Sequence, residues 1–411
     1  MRICVLGAGV VGVVTAYYLA RDGHRVRLID SAGGVGLETS FGNGGQLSYN
    51  YVAPLADPGV LSKLPRWLLN PDAPVRFVPR LEPRQWRWAL SFLKACTPAA
   101  SLATSGGLLS LGLYSRALVH DLMRDEALSC NYVRNGKLVV YRSVEEFASG
   151  KRQMAFQARL GSEQRALDAA GCAALEPALA PLAPRLAGGI HTPGEEAADC
   201  YQFTVELAQV AMRKFGVELL TGCSVRRLIR DGSRLAAVQT SLGDIEADAF
   251  VVALGMGSVP LLAGLGISLP LYPLLGYSLT VPVGPNHKPP QVSITDSDHK
   301  IVYALLGNRL RVAGMADISG LHAVAKPARA ALLLRQARET FPEAGAYDHA
   351  AIWFGRRPAT PTSKPLIGAT RLCNLWLNTG HGALGFTLAC GSGKIVTDLI
   401  AGRPPAIAGP H

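Results

Sequence analysis

The sequence predicts an α/β protein, α+β overall, from patterns at its two ends and in its middle. An apolar strand over Arg2–Leu6 leads through a glycine turn into a helix over Val10–Arg21, and a second strand follows over Arg25–Asp30. This order is a βαβ unit, because apolar β-branched runs flank residues with helical spacing. The chain ends in a strand over Leu375–Asn378, a glycine-rich turn and a helix over Phe386–Ala401. Alternating runs between the two ends predict antiparallel strands as well.

The elements between the two ends follow from residue spacing and from the glycines and prolines that end them. Apolar residues at helical spacing predict helices over Thr104–Ala127, Val144–Leu160, Phe203–Phe215 and Ala328–Thr340. Apolar or alternating runs predict strands over Lys137–Tyr141, Val217–Leu220, Phe250–Leu254, Gln291–Ile294, Ile301–Leu305 and Leu310–Gly314. A small β-meander is predicted over Val225–Arg230, Leu235–Thr240 and Asp244–Glu246, and a long polar loop over Ser31–Tyr51.

The composition is that of a folded chain with about two domains. It has 411 residues, of which 49% are hydrophobic and 17% charged, whereas a disordered chain would be poorer in hydrophobic residues and richer in charge. At roughly 150 residues per domain, two or so domains are expected. The eight cysteines are scattered and form no C-x-x-C pair. This spacing argues against a disulfide framework or a zinc site, so no metal site is predicted and a reducing, cytoplasmic compartment is expected.

One uncharged stretch, from Ala249 to Pro285, exceeds the roughly 20 residues that a bilayer-spanning helix needs. Four prolines divide it, and a broken helix in lipid would leave backbone polar groups unpaired. The stretch is therefore predicted to hold a buried strand, a linker and another strand, and no transmembrane segment is expected. A signal peptide is not expected either, because the short apolar run at the start leads directly into glycines.

The most specific local pattern is Gly7-Ala-Gly9-Val-Val-Gly12, between the first strand and the first helix. Gly7 permits a tight turn, Gly9 lets the backbone approach a pyrophosphate, and Gly12 lets helix and strand pack closely. The amino end of the helix adds N–H donors and positive potential for phosphates. Asp30 ends the next strand, where its carboxylate can accept both ribose hydroxyls, which favours FAD or NAD over NADP. The pattern therefore predicts a Rossmann-like dinucleotide site.

Four further segments carry residue types suited to a cofactor or an anionic substrate. A polar loop at 38–48 offers backbone amides to a ring system or diphosphate, and a strand ending at Gly255 is expected to return beneath a cofactor. The glycine run at 378–387 precedes a helix whose positive end can stabilise negative charge on a reduced flavin. His381 in that run is either a direct participant or a structural hydrogen-bonding group. Arg357, just before a proline, can take a carboxylate, although two adjacent arginines are more often a solvated surface.

Taken together, these segments resemble the D-amino-acid oxidase superfamily of FAD proteins, and most of all the bacterial D-amino-acid dehydrogenase (small subunit) family. The resemblance runs from Met1 to about Pro405 and rests on motifs more specific than the nucleotide pattern. They are LETS at 37–40, NxGQ at 43–46, EPAL at 176–179, YPL at 272–274, GYSLT at 276–280, GMA at 314–316, GxRP at 355–358 and LWLNTGHG at 375–382.

The resemblance implies a Rossmann-like FAD-binding domain with an inserted mixed-sheet substrate domain. The implied FAD-binding parts are 1–55, 188–268 and 350–411, and the implied substrate parts are 56–187 and 269–349. The sequence departs from the family at 41–42 and 48–51, where the family more often has small residues. Because these positions lie near the implied flavin, the accepted substrate size is left open.

The resemblance also implies which residues contact the cofactor and the substrate. The implied catalytic residues are Arg357, which binds the carboxylate, Tyr277, by a looser match, and His381. The implied cofactor-binding residues are Gly7, Gly9, Val10, Val11, Gly12, Asp30, Ser31, Thr39, Ser40, Asn43, Gly44, Gly45, Gln46, Leu47, Val225, Gly255, Gly380, His381, Gly382, Leu384, Gly385 and Thr387.

The activity implied by the resemblance is FAD-dependent oxidative deamination of D-amino acids to 2-oxo acids and ammonia. Arg357 would hold the carboxylate while a hydride leaves Cα for flavin N5, and the electrons would pass to a quinone or another acceptor that is not oxygen. A dehydrogenase specific for D-proline or hydroxy-D-proline is the first alternative. Two others are a tRNA-modifying flavoenzyme and a non-catalytic FAD subunit.

The formal charge of +11, from 41 Lys and Arg against 30 Asp and Glu, is partly concentrated in Leu61–Leu93. That segment interleaves six basic residues with tryptophans and phenylalanines. The mixture suits the edge of an anionic bilayer, where a quinone would be found, and equally a helix with a solvated basic face. Peripheral association with the inner face of the cytoplasmic membrane is thus one expectation. Nucleic acid is not expected as a partner, because the family resemblance accounts for this segment.

Overall fold

The computed structural model describes residues 1–50 and 54–407, so Tyr51, at the end of the predicted long loop, lies outside the described residues. The helices are α1 Val10–Arg21, α2 Val60–Leu69, α3 Pro83–Ala95, α4 Pro98–Glu126, α5 Val144–Ala158, α6 Ala169–Leu175, α7 Cys200–Phe215, α8 Ser258–Ala263, α9 Pro327–Thr340 and α10 Gly385–Ile400. The strands are β1 Arg2–Leu6, β2 Arg25–Ile29, β3 Gln46–Leu47, β4 Val75–Phe77, β5 Lys137–Tyr141, β6 Arg165–Leu167, β7 Gly188–Thr192, β8 Glu196–Ala197, β9 Glu218–Leu220, β10 Val225–Asp231, β11 Arg234–Thr240, β12 Gly243–Glu246, β13 Ala249–Val252, β14 Tyr272–Pro282, β15 Ser293–Asp296, β16 Ile301–Leu306, β17 Arg309–Ile318, β18 Ala351–Ala359, β19 Leu366–Ala369 and β20 Leu375–Thr379.

A six-stranded sheet with the order β19-β20-β13-β1-β2-β9 forms the first unit. Its pairs are parallel except for the antiparallel edge pair β19–β20. Strands β1 and β13 are almost continuously apolar because both of their faces are covered, as is typical of a parallel sheet. Helices α1, α7 and α10 share one hydrophobic cluster with this sheet, and the meander β10–β12 and α8 share another. The predicted βαβ start, β-meander and terminal strand–turn–helix are confirmed.

A nine-stranded mixed sheet forms the second unit. Its order is β18-β14-β17-β16-β15-β5-β7-β6, with β4 beside β17. Most pairs are antiparallel, whereas β5–β15 and β4–β17 are parallel. Helix α9 packs on this sheet around the buried side chains of Tyr277, Tyr303 and Phe341. A parallel-sheet unit combined with a mixed sheet confirms the predicted fold class.

Helix α4 begins earlier than the sequence predicted, for an identifiable reason. Helix α4 begins at Pro98 rather than near Thr104, because Thr97 caps it through a hydroxyl that accepts the Ala100 N–H at 3.3 Å, and proline suits the first turn. Strands β7 and β18 belong to the mixed sheet, although the predicted FAD-binding parts 188–268 and 350–411 contain them. The exact division of the chain into domain segments therefore stays a prediction.

The uncharged stretch from Ala249 to Pro285 contains two mostly buried strands, β13 and β14, as predicted. The short helix α8, which was not predicted, lies in the linker between them. Among the described residues, only Gly382–Ile400 has the length and apolar composition of a spanning helix, and 67% of it is buried inside the protein. Most of that segment is α10, which packs against α1 and α4. Its apolar side chains are thus part of the protein core.

Candidate cofactor and substrate site

A crevice runs across the carboxyl ends of β1, β2 and β13. It consists of a cleft of about 580 Å³ and an adjoining cavity of about 480 Å³. Asp30, Ser31, Leu254 and Gly257 line both, which makes the crevice continuous. The predicted cofactor residues that line the larger cleft are Gly7, Gly9, Val10, Val11, Asp30, Ser31, Thr39, Ser40, Asn43, Gly255, Gly380, His381, Gly382 and Gly385, and Val225 lines the smaller cavity. An elongated crevice at this edge of a parallel sheet is the expected shape of a dinucleotide site.

The glycine turn after β1 leaves the backbone exposed to the crevice. Gly7 has a φ of +105°, and a side-chain carbon on it would lie 2.6 Å from the Ala253 carbonyl oxygen. A side-chain carbon on Gly12 would overlap the Gly7 carbonyl oxygen. One on Gly9 would meet only the Ser40 hydroxyl, at 3.4 Å. Gly7 and Gly12 therefore permit the turn, and Gly9 leaves room at the amino end of α1, so these residues fit a pyrophosphate.

Asp30 stands where the two cavities meet, and the backbone fixes its carboxylate. One oxygen accepts the Ala8 N–H at 2.7 Å, and the other accepts the Ala32 N–H at 2.8 Å. Each carboxylate oxygen can accept more than one hydrogen bond. Asp30 can thus still accept ribose hydroxyls from a dinucleotide while it holds the turn.

The terminal glycine turn places the amino end of α10 at the larger cleft. Gly380 and Gly382 have φ values of +82° and +56°, which favour glycine. His381 lies between them and is buried, with its Nε2 3.0 Å from the Ser392 hydroxyl. Burial lowers the pKa of His381 to about 3. The imidazole is therefore neutral at physiological pH, where it can orient a ligand but carries no positive charge.

Seven predicted cofactor residues do not line the crevice: Gly12, Gly44, Gly45, Gln46, Leu47, Leu384 and Thr387. The Gln46 amide donates to the carbonyls of Ile294 and Tyr303, at 2.8 and 3.0 Å, and Leu47 is fully buried. The Thr387 hydroxyl accepts the N–H of Ser48 at 3.3 Å. Gln46, Leu47 and Thr387 thus tie the cofactor loop, residues 38–48, to the mixed sheet and to α10.

Arg357 lies on β18, which pairs with β14 at the edge of the mixed sheet. Its guanidinium covers Gly276, where any side chain would overlap it, and its Nη1 donates to the Met315 carbonyl at 2.9 Å. Met315 has a φ of +59° in a bulge, since β17 has one extra residue between the partners of Leu275 and Tyr277. The bulge turns a backbone carbonyl toward the guanidinium and fixes its orientation.

Arg357 has no acidic partner among residues 1–50 and 54–407, and burial lowers its guanidinium pKa below the usual value. An arginine remains protonated in spite of such a shift. A partly buried cation with donors left over is a site for an anion, and the planar guanidinium suits a carboxylate.

Tyr277, by contrast, does not reach this face of the sheet. Its neighbour Gly276 lies under Arg357, and successive residues of a strand point to opposite faces. The Tyr277 ring is 1% exposed, and its hydroxyl accepts the Lys326 N–H at 3.1 Å and lies 3.3 Å from an Asp317 carboxylate oxygen. The structure therefore gives Tyr277 contacts in the core beside α9 and none with the crevice.

Arg311, which the sequence patterns did not indicate, holds the cofactor loop from the side of the mixed sheet. It is 5% exposed and donates from Nη1 to the carbonyls of Phe41 and Asn43, at 3.0 and 3.1 Å. The available signal was a basic residue inside an otherwise apolar strand. Such a residue needs buried acceptors, and here they are the backbone carbonyls of the loop.

A glycine turn, an acid placed to accept ribose hydroxyls and a guanidinium near one crevice are the features expected of a dinucleotide-dependent enzyme. The chain belongs to the FAD dependent oxidoreductase family, whose model matches residues 2–399. FAD is therefore its cofactor, and it is an oxidoreductase. The predicted superfamily is confirmed.

Named relatives are similar over the whole chain. The chain is 50% identical over 407 residues to "D-amino acid dehydrogenase 2" of Pseudomonas aeruginosa, covering 99% of this chain and 96% of the relative. It is 46% identical over 409 residues to "D-amino acid dehydrogenase" of Paramagnetospirillum magneticum, covering 99% and 97%. The crystal structure of glycine oxidase from Geobacillus kaustophilus has the same fold, with a TM-score of 0.78 and 22% identity over 99% of this chain and 96% of that one.

Proposed function

We propose that the protein is a D-amino-acid dehydrogenase that converts D-amino acids to 2-oxo acids and ammonia. The observation that carries the proposal is the Arg357 guanidinium, which has no carboxylate partner among the described residues and lies on the sheet face that the cofactor loop covers. The names of relatives 40–50% identical over nearly the full chain support it. A free guanidinium supplies the charge that an amino-acid carboxylate needs.

The chain's own residues account for binding and orientation in this reaction. FAD, when bound, supplies a two-electron acceptor. Arg357 fixes the carboxylate, and the Met315 carbonyl holds the guanidinium in one orientation, which limits the poses in which Cα can react. His381 is neutral and already lies within hydrogen-bonding distance of Ser392, so it is not a cationic proton donor. Water hydrolyses the oxidised amino acid to the 2-oxo acid and ammonia.

The test is anaerobic reduction of the flavin in the purified holoenzyme, followed by its absorbance. A panel of D- and L-amino acids, with D-proline and hydroxy-D-proline included, is added in separate reactions. We expect D-amino acids to decrease the absorbance of the flavin band and their L-enantiomers to leave this absorbance unchanged. If no D-amino acid bleaches the flavin while dithionite does, the proposal fails; bleaching by the D-proline pair alone would assign the narrower activity.

We further propose that the electrons pass to a quinone at an anionic membrane that the protein binds through α2 and α3. Inward residues of both helices, Trp67, Trp88 and Phe92, pack in one cluster with Tyr272, so their outer faces turn away from the same part of the mixed sheet. The exposed apolar side chains there are Leu61, Leu68, Leu69, Leu81, Trp86 and Leu90. Exposed basic residues lie among them, at Lys63, Arg66, Arg87 and Lys94. Exposed apolar and basic groups together are typical of an interfacial surface.

Vesicle sedimentation tests this surface. We expect the holoenzyme to sediment with phosphatidylglycerol vesicles at low salt and less at high salt, because the basic residues contribute through screened attraction. Replacing both Leu69 and Leu90 by glutamate is expected to reduce sedimentation at least about tenfold, since it removes exposed apolar area that the membrane would bury and adds repulsion from anionic lipid. Leu242→Glu, an exposed leucine between β11 and β12, is the matched control. Equal sedimentation of all three proteins would contradict the proposed surface.

A further inference from the structure

Two glycines face each other directly across β14 and β18, namely Gly276 and Gly355. A side-chain carbon on Gly276 would overlap the Arg357 guanidinium, and one on Gly355 would overlap the Trp353 indole. Residues paired across neighbouring antiparallel strands lie about 4.5–5.5 Å apart. The indole and the guanidinium therefore lie side by side on the same face of the sheet, each packed over one of the two glycines.

The indole is also held from the other side, by the cofactor loop. A side-chain carbon on Gly42 would overlap the six-membered ring of Trp353, and one on Gly44 would lie 2.8 Å from Val302. The loop thus lies directly on this face of the sheet, with Trp353 between the loop and β18. Since glycines flank the ring on two sides, Trp353 forms a fixed apolar wall next to the cation.

We propose that Trp353 sets the upper size of the substrate side chain and restricts the enzyme to D-amino acids with compact apolar side chains. This inference rests on the proposed function, in which Arg357 holds the substrate carboxylate. The side chain of an α-amino acid is attached to the carbon next to its carboxylate, so it must lie close to whatever flanks the guanidinium. Trp353 is that neighbour.

The surroundings of the guanidinium favour compact apolar side chains over cationic ones. An indole face gives dispersion contacts to aliphatic and ring side chains. A cationic side chain there would lose its water beside the like charge of Arg357, which is costly. A bulky side chain would have to displace a ring that two glycine contacts hold in place.

The test compares kcat/KM for D-alanine, D-phenylalanine and D-tryptophan in holoenzyme variants, with a soluble dye as the electron acceptor. Trp353→Ala is expected to raise the ratio of D-tryptophan to D-alanine at least about tenfold, because steric pockets discriminate by roughly 10–200-fold per small group. Trp353→Phe is expected to raise it less, and to raise D-phenylalanine relative to D-tryptophan. The matched control is Ile352→Ala, the preceding residue, which is 54% exposed on the other face of β18.

Ratios within twofold of the unmodified enzyme in Trp353→Ala would overturn the inference. If Trp353→Ala does not retain FAD, the ratios of Trp353→Phe are used instead, and ratios within twofold of the unmodified enzyme would again overturn the inference. A failure of the proposed function would be seen in other measurements. That function requires D-amino acids to reduce the flavin of the unmodified enzyme and substitutions at Arg357 to raise KM. Normal reduction and a sensitive Arg357, together with unchanged ratios in the Trp353 variants, would remove only the size limit.

Discussion

Arg357→Leu is expected to lower kcat/KM for every D-amino acid substrate by about 100- to 1,000-fold, mainly through a higher KM. The guanidinium has no acidic partner within residues 1–50 and 54–407, and leucine offers no donor in its place. A charge-assisted hydrogen bond contributes about 1.5–3 kcal/mol, and two of them to one carboxylate account for a loss of this size. The flavin should remain bound, because Arg357 does not line the crevice that fits the dinucleotide.

The measurement is steady-state kinetics together with FAD content and the visible spectrum of each variant. Arg357→Lys keeps the charge without the planar fork, so we expect it to recover only part of the lost kcat/KM. Arg335→Leu, an exposed arginine on α9, is the matched control and should behave as the unmodified enzyme. A kcat/KM within threefold of normal in Arg357→Leu would refute the carboxylate assignment, and so would loss of FAD as its only defect.

The parts of this site that sequence analysis predicted depend on local geometry. The turn at Gly7 and Gly12 is set within a few residues, because any side chain there would overlap backbone from the same βαβ unit. Asp30 is placed by the length of β2 and by two backbone N–H groups close to it. Such features have the same geometry wherever the motif occurs, so the pattern in the sequence is sufficient.

The parts that it missed depend on contacts between distant segments. Gln46 contacts strands more than 240 residues away, so its spacing in the sequence does not reveal that it braces the loop. A one-residue shift separates Gly276, under the guanidinium, from Tyr277, in the core, and a motif match does not resolve which face a residue takes. The bulge at Met315 is visible only in the pairing of β14 with β17. The positions of these residues therefore depend on the pairing of distant strands, which the local sequence pattern does not specify.

The second large effect is expected at a buried charge pair beneath the cofactor loop. Lys137 and Glu195 are 2% and 1% exposed. The Lys137 ammonium donates to the Ser48 hydroxyl at 2.7 Å. The Glu195 carboxylate accepts the backbone and side-chain N–H groups of Asn50, at 2.7 and 2.9 Å. Residues 48–50 are therefore held by two opposite charges, one from β5 and one from the turn between β7 and β8.

Lys137→Met and Glu195→Gln are each expected to lower the free energy of unfolding by about 3–5 kcal/mol, because each removes the opposite buried charge that stabilises the ionised form of the other residue. The double variant should lose clearly less than the sum of the two, since it leaves neither charge. Denaturant unfolding of the holoenzyme measures this, with Lys151→Met, at an exposed lysine on α5, as the control. Additive losses would contradict coupling between the pair.

The pH dependence of the free energy of unfolding distinguishes an effect of the buried Lys137 charge from a simple loss of packing. Burial lowers the pKa of Lys137 to about 8, below its usual value of 10.5. Between these two pKa values the folded state binds fewer protons than the unfolded state, so stability rises with pH across that window and falls again as the pH drops toward 8. Glu195 opposes this lowering of the Lys137 pKa, so Glu195→Gln should lower it further and widen the window. Below about pH 8 the variant with the lower Lys137 pKa already gains stability with rising pH, whereas the unmodified protein does not. The stability deficit of Glu195→Gln should therefore shrink as the pH approaches about 8 and then stay level, whereas the deficit of Lys137→Met, which lacks the titrating group, should grow above about 8.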